Sequence, residues 1–210
     1  MNQWRLNIIM NEIILLDEIG FKYNDKEIFK KLSYNFCEGR YIIQGENGVG
    51  KSTLMNLLFG YLEPNTGIIK RKQNLKINYL FQDAMIFNNL TVRENILLKN
   101  IAIDSDNKEN LINKYADKFN LMDKLNTKVS RLSGGERQRV QLAILSCSES
   151  DVILMDEPIA NLDTHNSEEI MNYIFSLNCP LVIVVSHQFI KKTADYKLLE
   201  LREGKLIEIQ

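Results

Sequence analysis

The sequence predicts an α/β fold built on a mainly parallel central sheet, and three features carry that expectation. Strand-like runs alternate with helix-like ones along most of the chain, the order that winds a parallel sheet between layers of helices. Two runs, "DVILMDEP" and "LVIVVSH", are apolar almost throughout, as strands covered on both faces must be. A third run, "RYIIQG", leads through a glycine-rich turn directly into a helical pattern.

From the beginning, "EIILLDEIGFKY", "KLSYNF" and "RYIIQG" are β-rich. The segment that follows the turn has Leu54, Leu57, Leu58 and Tyr61 at the i, i+3, i+4, i+7 spacing of a helix with one buried face. "TGIIKRKQ" and "INYLFQ" return to strand character. The texture then changes over residues 83–130: Thr91 to Glu94 form a capping box that opens a helix through Leu98, and "DNKENLINKYADKFNLMDKL" continues with helical spacing. This is a helical insertion of about fifty residues within one domain spanning residues 1–210. "GGERQRVQLAILSCS" and "SEEIMNYIFSL" are helical, and "YKLLELREGKLIEIQ" closes the chain as a hairpin turning at Glu-Gly.

Composition narrows the function. The 210 residues are 45% hydrophobic and 25% charged with a net charge of −1, which gives no electrostatic reason for nucleic acid or an anionic membrane as the main partner. Cys37, Cys147 and Cys179 are far apart and form neither a disulfide framework nor a zinc site. No apolar run reaches the roughly 18 to 20 residues that cross a bilayer, so the chain is not itself expected to be transmembrane. The opening residues are broken by Arg5, Asn7, Asn11 and Glu12 and lack a small-residue cleavage site, against a signal peptide; Met1 and Met10 are both candidate starts.

The chemistry concentrates in two stretches. "GENGVGKST" fits G-x-x-x-x-G-K-[ST] between a strand and a helix, the context of a phosphate-binding loop. Gly45, Glu46, Asn47, Gly48, Val49 and Gly50 supply a backbone that turns its N–H groups toward phosphates, and the helix start adds the positive end of a dipole. Lys51 supplies a charge to the terminal phosphates, and Ser52, followed by Thr53, a hydroxyl for Mg²⁺. In "DVILMDEP", Asp156 at the end of a buried strand can reach that ion through water. Strand alternation sends the Glu157 side chain the other way, where it can address an attacking water. Alone, an Asp-Glu pair is a solvated strand end; beside the phosphate loop it is the second half of a hydrolytic site.

A second glycine pair sits in "RLSGGERQRV". Ser133 and Glu136 satisfy a capping box, and the bland reading is a well-capped helix. Capping needs no glycine, however, and each Gly costs a helix about 1 kcal/mol relative to Ala. Gly134 and Gly135 therefore imply that something approaches the backbone closely. With the Ser133 hydroxyl they would clamp a terminal phosphate, and the first loop already encloses its own nucleotide. The clamp is expected to serve a nucleotide held by another copy.

Here the chain resembles the ATP-binding subunits of ABC transporters, with motifs spanning almost its full length in the family's order. Leu132 to Glu136 match the "LSGGE" signature letter for letter, together with the phosphate loop and "MDEP". The resemblance implies a P-loop NTPase with an N-terminal antiparallel β subdomain and an inserted helical subdomain. It implies ATP and Mg²⁺ as cofactors, and a second ATP-binding subunit docked head-to-tail so that Ser133 to Glu136 face the partner's phosphate loop. It also implies integral-membrane permease subunits that hold the protein at the cytoplasmic face of the membrane. Carried over singly, Tyr23 is the aromatic residue that stacks on adenine, Gln82 senses Mg²⁺ and water, Asp163 in Asn161-Leu162-Asp163 contacts the partner, and His187 in "VVSHQ" bonds the γ-phosphate. His165 matches no motif and is expected at the surface near a helix start.

The sequence departs from the family at Ile159 and Ala160, where threonine and glycine are usual, and at Gln44, which is less apolar than usual. "YLFQDAMIFNNLTVRENILL" is similar to subunits that serve macrolide, lipoprotein and bacteriocin permeases, and the chain ends soon after the closing hairpin. Export of a peptide, lipid-linked or hydrophobic cargo is the expectation. Two alternatives stand beside it: a soluble ABC-type ATPase acting on a ribosome or DNA, disfavoured by a single compact unit without a basic patch, and a non-hydrolysing subunit, disfavoured by an intact Glu157 and His187.

Overall fold

The computed structural model describes residues 12–80, 86–99, 105–147, 149–160, 162–187 and 195–209. Its architecture is the expected one. Strands β1 (Glu12–Tyr23), β2 (Lys26–Cys37) and β4 (Thr66–Arg71) form an antiparallel sheet in the order β2-β1-β4. Strands β5 (Ile77–Leu80), β6 (Val152–Asp156), β7 (Leu181–Val185), β3 (Gly39–Gln44) and β8 (Lys197–Arg202) lie side by side and parallel in that order. β9 (Lys205–Glu208) closes the edge antiparallel to β8. The helices among the described residues are α1 (Lys51–Phe59), α2 (Val92–Lys99), α3 (Ser105–Lys118), α4 (Gly134–Ser146) and α5 (Thr164–Phe175).

Side-chain alternation along the parallel strands divides the core in two. Ile42, Ile153, Met155, Val182 and Val184 face α2 to α5, whereas Tyr41, Ile43, Leu154, Ile183 and Val185 face α1 and the antiparallel sheet. Both faces are covered, so β6 and β7 are buried along their whole length, and their unbroken apolar runs have this cause. The helical insertion is tied down at both ends. Val92 and Arg93 donate backbone bonds to Thr127 O and Leu125 O, and Val129 donates to Leu90 O. None of the described helices is long and apolar enough to cross a membrane.

Register places the site. In the ladders Ile43 is paired with Val185 and Val185 with Asp156, so the carboxyl ends of β3, β7 and β6 stand in one row. Ligands in open α/β sheets bind outside this edge. At its other end β3 is pinned by Arg40, whose guanidinium donates to the carbonyls of Phe175, Leu177 and Cys179.

One expected element is shorter than its pattern. Tyr61 was placed on the buried face of the helix after the phosphate loop, yet α1 ends at Phe59 and Tyr61 is 74% exposed. Gly60, at φ +91°, caps the helix with its N–H on Asn56 O and Leu57 O, and Tyr61 N–H follows onto Asn56 O. This left-handed stop takes the chain off the helical path before the fourth apolar position. α5 begins at Thr164, before the apolar run, because Asp163 caps it; His165 is exposed in its first turn, as expected.

Candidate functional site

A cleft of about 550 Å³ opens at the row of strand ends. Asn47, Gly48, Gly50, Lys51, Ser52, Thr53, Asp156, Glu157, His187 and Tyr23 line it, together with Lys26, Ile28 and Ala160. Four separate stretches of sequence therefore meet at one place: the β1–β2 hairpin, the glycine loop, the end of β6 and the end of β7.

The glycine loop ends in a helix start left open. Gly50 is the N-cap of α1 at φ +108°, and a Cβ there would come within 2.5 Å of Ile28 Cγ2. No side chain caps α1 and no acidic residue sits in its first turn, so its leading N–H groups and dipole face the cleft uncompensated. By contrast α2, α4 and α5 start on the side-chain caps Thr91, Ser133 and Asp163. At Gly48 an added Cβ would meet nothing within 4 Å; the loop is hollow on its cleft side. The donors suit an anion of phosphate type.

Lys51 is buried, and its Nζ donates to Gly45 O at 2.8 Å and Glu46 O at 2.9 Å. Burial lowers its pKa, against the pull of Glu157 and Asp156. Asp156 is buried at the cleft floor, and its carboxylate accepts a hydrogen bond from Tyr79. Tyr79 pairs with Leu154 across β5 and β6, two residues before Asp156 and on the same face. Burial and the neighbouring Asp156 carboxylate push the Tyr79 phenol up, so it stays a neutral donor. Ser52, exposed and beside Lys51, offers a hydroxyl in the same cleft. One hydroxyl and one carboxylate with room for phosphate oxygens is a donor set that fits Mg²⁺, which keeps several waters and takes few protein ligands. Among the described residues no group of three or more His, Cys, Asp or Glu could hold a metal by itself.

Glu157 corrects the expectation that strand alternation sends its side chain away from Asp156. Its backbone is left-handed at φ +53°, with its N–H on Val185 O. The alternation breaks at this residue, and both carboxylates line the same cleft. A non-glycine residue in this region costs about 1–3 kcal/mol, held here by the β7 bond and by Ala160 N–H on Glu157 O. His187 approaches with its Nε2 2.9 Å from Glu157 Oε1, and its backbone N–H donates to Oε2 at 3.3 Å. The side-chain approach is of ion-pair range without hydrogen-bond alignment: Oε1 is shut off from solvent and has no aligned donor. Burial raises the Glu157 pKa, opposed by His187 and Lys51 and reinforced by Asp156. A desolvated carboxylate with an unsatisfied oxygen is a strong proton acceptor.

Tyr23 stands half exposed at the rim, edge-on to Phe21 with ring centroids 4.9 Å apart. Asn24, at φ +49°, turns the hairpin and brings Lys26 opposite Tyr23. Gly45 and Glu46 border an adjoining hollow of about 400 Å³ with Gln44, His187 and Glu200, and Val49 packs onto the core. Ser133, Gly134, Gly135, Glu136 and Asp163 do not line the cleft. Ser133 and Glu136 complete the capping box: Glu136 N–H donates to Ser133 Oγ at 3.3 Å, and Ser133 N–H to Glu136 Oε2 at 2.8 Å. Gln82, Asn161, Met1 and Met10 lie outside the described residues. Sequence reasoning missed Lys26 and Tyr79; the first needs the hairpin register and the second the strand pairing, neither of which is a local pattern.

Residues 29–160 match the family described as "ABC transporter". The phosphonates import ATP-binding protein PhnC of Fusobacterium nucleatum is 34% identical, over 94% of this chain and 92% of its own length. The chain belongs to the ABC transporter ATP-binding subunits. Another relative, the lipoprotein-releasing system ATP-binding protein LolD of Buchnera aphidicola, is 33% identical over 95% of this chain and 96% of its own. The solved structure of cbiO1 from Clostridium perfringens, part of the ABC transporter complex cbiONQ, shares the fold with a TM-score of 0.83 at 23% identity, covering 94% of this chain and 87% of that one. ABC ATP-binding subunits hydrolyse ATP to power transport and work with membrane permeases and as dimers; this chain is such an ATPase.

Proposed function

We propose that the cleft holds ATP with Mg²⁺ and that its γ-phosphoryl group is transferred to water there. The convergence of Lys51, Ser52, Asp156, Glu157 and His187 on one cleft carries this reading. The open start of α1 and the glycine loop receive the phosphates, and Lys51 exchanges its bonds to Gly45 O and Glu46 O for phosphate oxygens. Ser52, and Asp156 through water, would hold Mg²⁺, which would neutralise phosphate charge, and Tyr79 keeps the Asp156 carboxylate oriented. Glu157 orients or deprotonates the water through its desolvated carboxylate, while His187, held against it, bonds the γ-phosphate. Tyr23 stacks on the base, and Gln82 belongs to the same constellation by its sequence position.

The signature turn does not reach this cleft within one chain, which supports a head-to-tail dimer. In that dimer the exposed Ser133 and Gly134 of one copy close over the nucleotide of the other, and Asp163 lies at the shared face. Permease subunits hold the pair at the cytoplasmic side of the membrane. Export of a peptide, lipid-linked or hydrophobic cargo rests on the sequence around residues 79–98 and on the lipoprotein-releasing relative; the phosphonate-import relative points the other way. The deciding experiment is phosphate release and size-exclusion chromatography of wild type and Glu157→Gln. The expected outcome is loss of turnover in the variant and its dimerisation with Mg-ATP. Equal turnover in both would remove Glu157 from the reaction. Co-purification with a tagged candidate permease, and the identity of what accumulates when the gene is deleted, settle cargo and direction.

A further inference from the structure

The buried glycine of the signature turn has a neighbour in its own chain. Gly134 is exposed, whereas Gly135 is buried. A Cβ on Gly135 would lie 2.8 Å from Asn166 Oδ1, closer than real atoms keep, and 3.1 Å from its Cγ, a tight contact. Asn166 is not free to yield. Its backbone N–H donates to Asp163 Oδ1 at 2.9 Å and its side-chain amide to Asp163 Oδ2 at 2.7 Å. Rotating the amide away from Gly135 breaks the second bond and disturbs the cap of α5. A Cβ on Gly134 would stand 3.4 Å from Leu162 Cδ2, an ordinary van der Waals distance. Further along the two helices, Arg139 pairs with Glu169 at 3.2 Å, and Tyr173 OH donates to the same carboxylate. One seam thus runs from the first turn of α4 to the middle of α5.

We infer that Asn166 is a positioning residue that locks the signature turn to Asp163, and that Gly135 lacks a side chain to admit it. The spacing that first suggested an approaching phosphate thus has a second cause: Gly134 stays exposed, and the space beside the Gly135 Cα belongs to Asn166. Resting on the dimer reading above, the lock sets the two elements that meet the partner, Ser133-Gly134 and Asp163, at a fixed separation. Each copy then meets the other's nucleotide and the other's surface as one rigid edge.

A double-mutant cycle of Gly135→Ala and Asn166→Ala in the full chain tests this, first by thermal unfolding. Gly135→Ala is expected to lower Tm by about 2–4 °C. The double variant is expected to unfold no earlier than Asn166→Ala alone, because the obstructed group is gone. Losses that simply add would overturn the contact. The positioning role is read separately in a Glu157→Gln background. Asn166→Ala is expected to keep the affinity of the monomer for a fluorescent ATP analogue within about twofold, the size of a local perturbation that spares the cleft, and to weaken Mg-ATP-driven dimerisation several-fold. Unchanged dimerisation sinks the positioning role. If the Glu157→Gln parent itself stays monomeric with Mg-ATP, the dimer reading fails and the positioning role fails with it, while the unfolding cycle still judges the Asn166–Gly135 contact.

Discussion

Among the described residues two helices start at glycine, α1 behind Gly50 and α4 on Gly134, and they have opposite needs. The start of α1 has no side-chain cap, and Gly48 opens onto empty space. The start of α4 is closed by its own Ser133–Glu136 box, and the room beside Gly135 is filled by Asn166. The first leaves its donors for an incoming anion; the second has satisfied two of its own, those of Ser133 and Glu136, and keeps an exposed hydroxyl and backbone edge for whatever docks. Glycine beside a helix start therefore signals close approach without saying what approaches. Only the packing around it distinguishes a phosphate from a neighbouring side chain.

Substitutions can widen or erase that contrast. The largest effect is expected over the open start, where Glu157→Gln should reduce kcat by about 10²- to 10⁴-fold, measured as phosphate release. Its pH profile gives a signed test. Glu157 acts ionised and burial raises its pKa, so the wild-type rate should begin to fall, as pH is lowered, above the ordinary carboxylate range. The Gln variant should lack that limb. Lys51→Ala should lower kcat/KM by about 10²- to 10³-fold, the range for losing one preorganised charge donor. Tyr79→Phe removes one hydrogen bond to Asp156 and should raise the Mg²⁺ concentration for half-maximal rate by about fivefold, equivalent to about 1 kcal/mol. A matching weakening of Mn²⁺ binding, followed by its spin resonance, would separate this from a change in turnover. The smallest effect belongs to the self-capped start: Ser133→Ala costs about 1 kcal/mol of stability, or about 2–4 °C in Tm. Affinity of the monomer for nucleotide should be untouched. A Ser133→Ala chain that binds ATP poorly while monomeric would abolish the contrast between the two helix starts.

Much of this was legible in the sequence because it is local. The phosphate loop, the apolar strand ending at Asp156 and the boxes at Thr91 and Ser133 are each set by residues a few positions apart, and each was found where expected. What escaped depends on register and packing. Lys26 faces the cleft because a two-residue turn pairs it with Tyr23, and Tyr79 reaches Asp156 because β5 lies beside β6 in one register. The left-handed turn at Glu157 is invisible to a rule of strand alternation, since the bond that holds it comes from Val185. Tyr61 was misplaced for the opposite reason: its apolar spacing was sound, but Gly60 ended the helix one residue earlier.

The end of β7 has one more implication. Val185 O receives Glu157 N–H, Ser186 N–H donates to Ile43 O, and the ladders tie β7 to β3 and β6 on either side. The base of the cleft is thus a single hydrogen-bonded slab, and nucleotide can load and leave at the rim without parting of these strands. Amides of residues 181–185 should be among the last in the molecule to exchange with deuterium, whether the protein is idle or turning over.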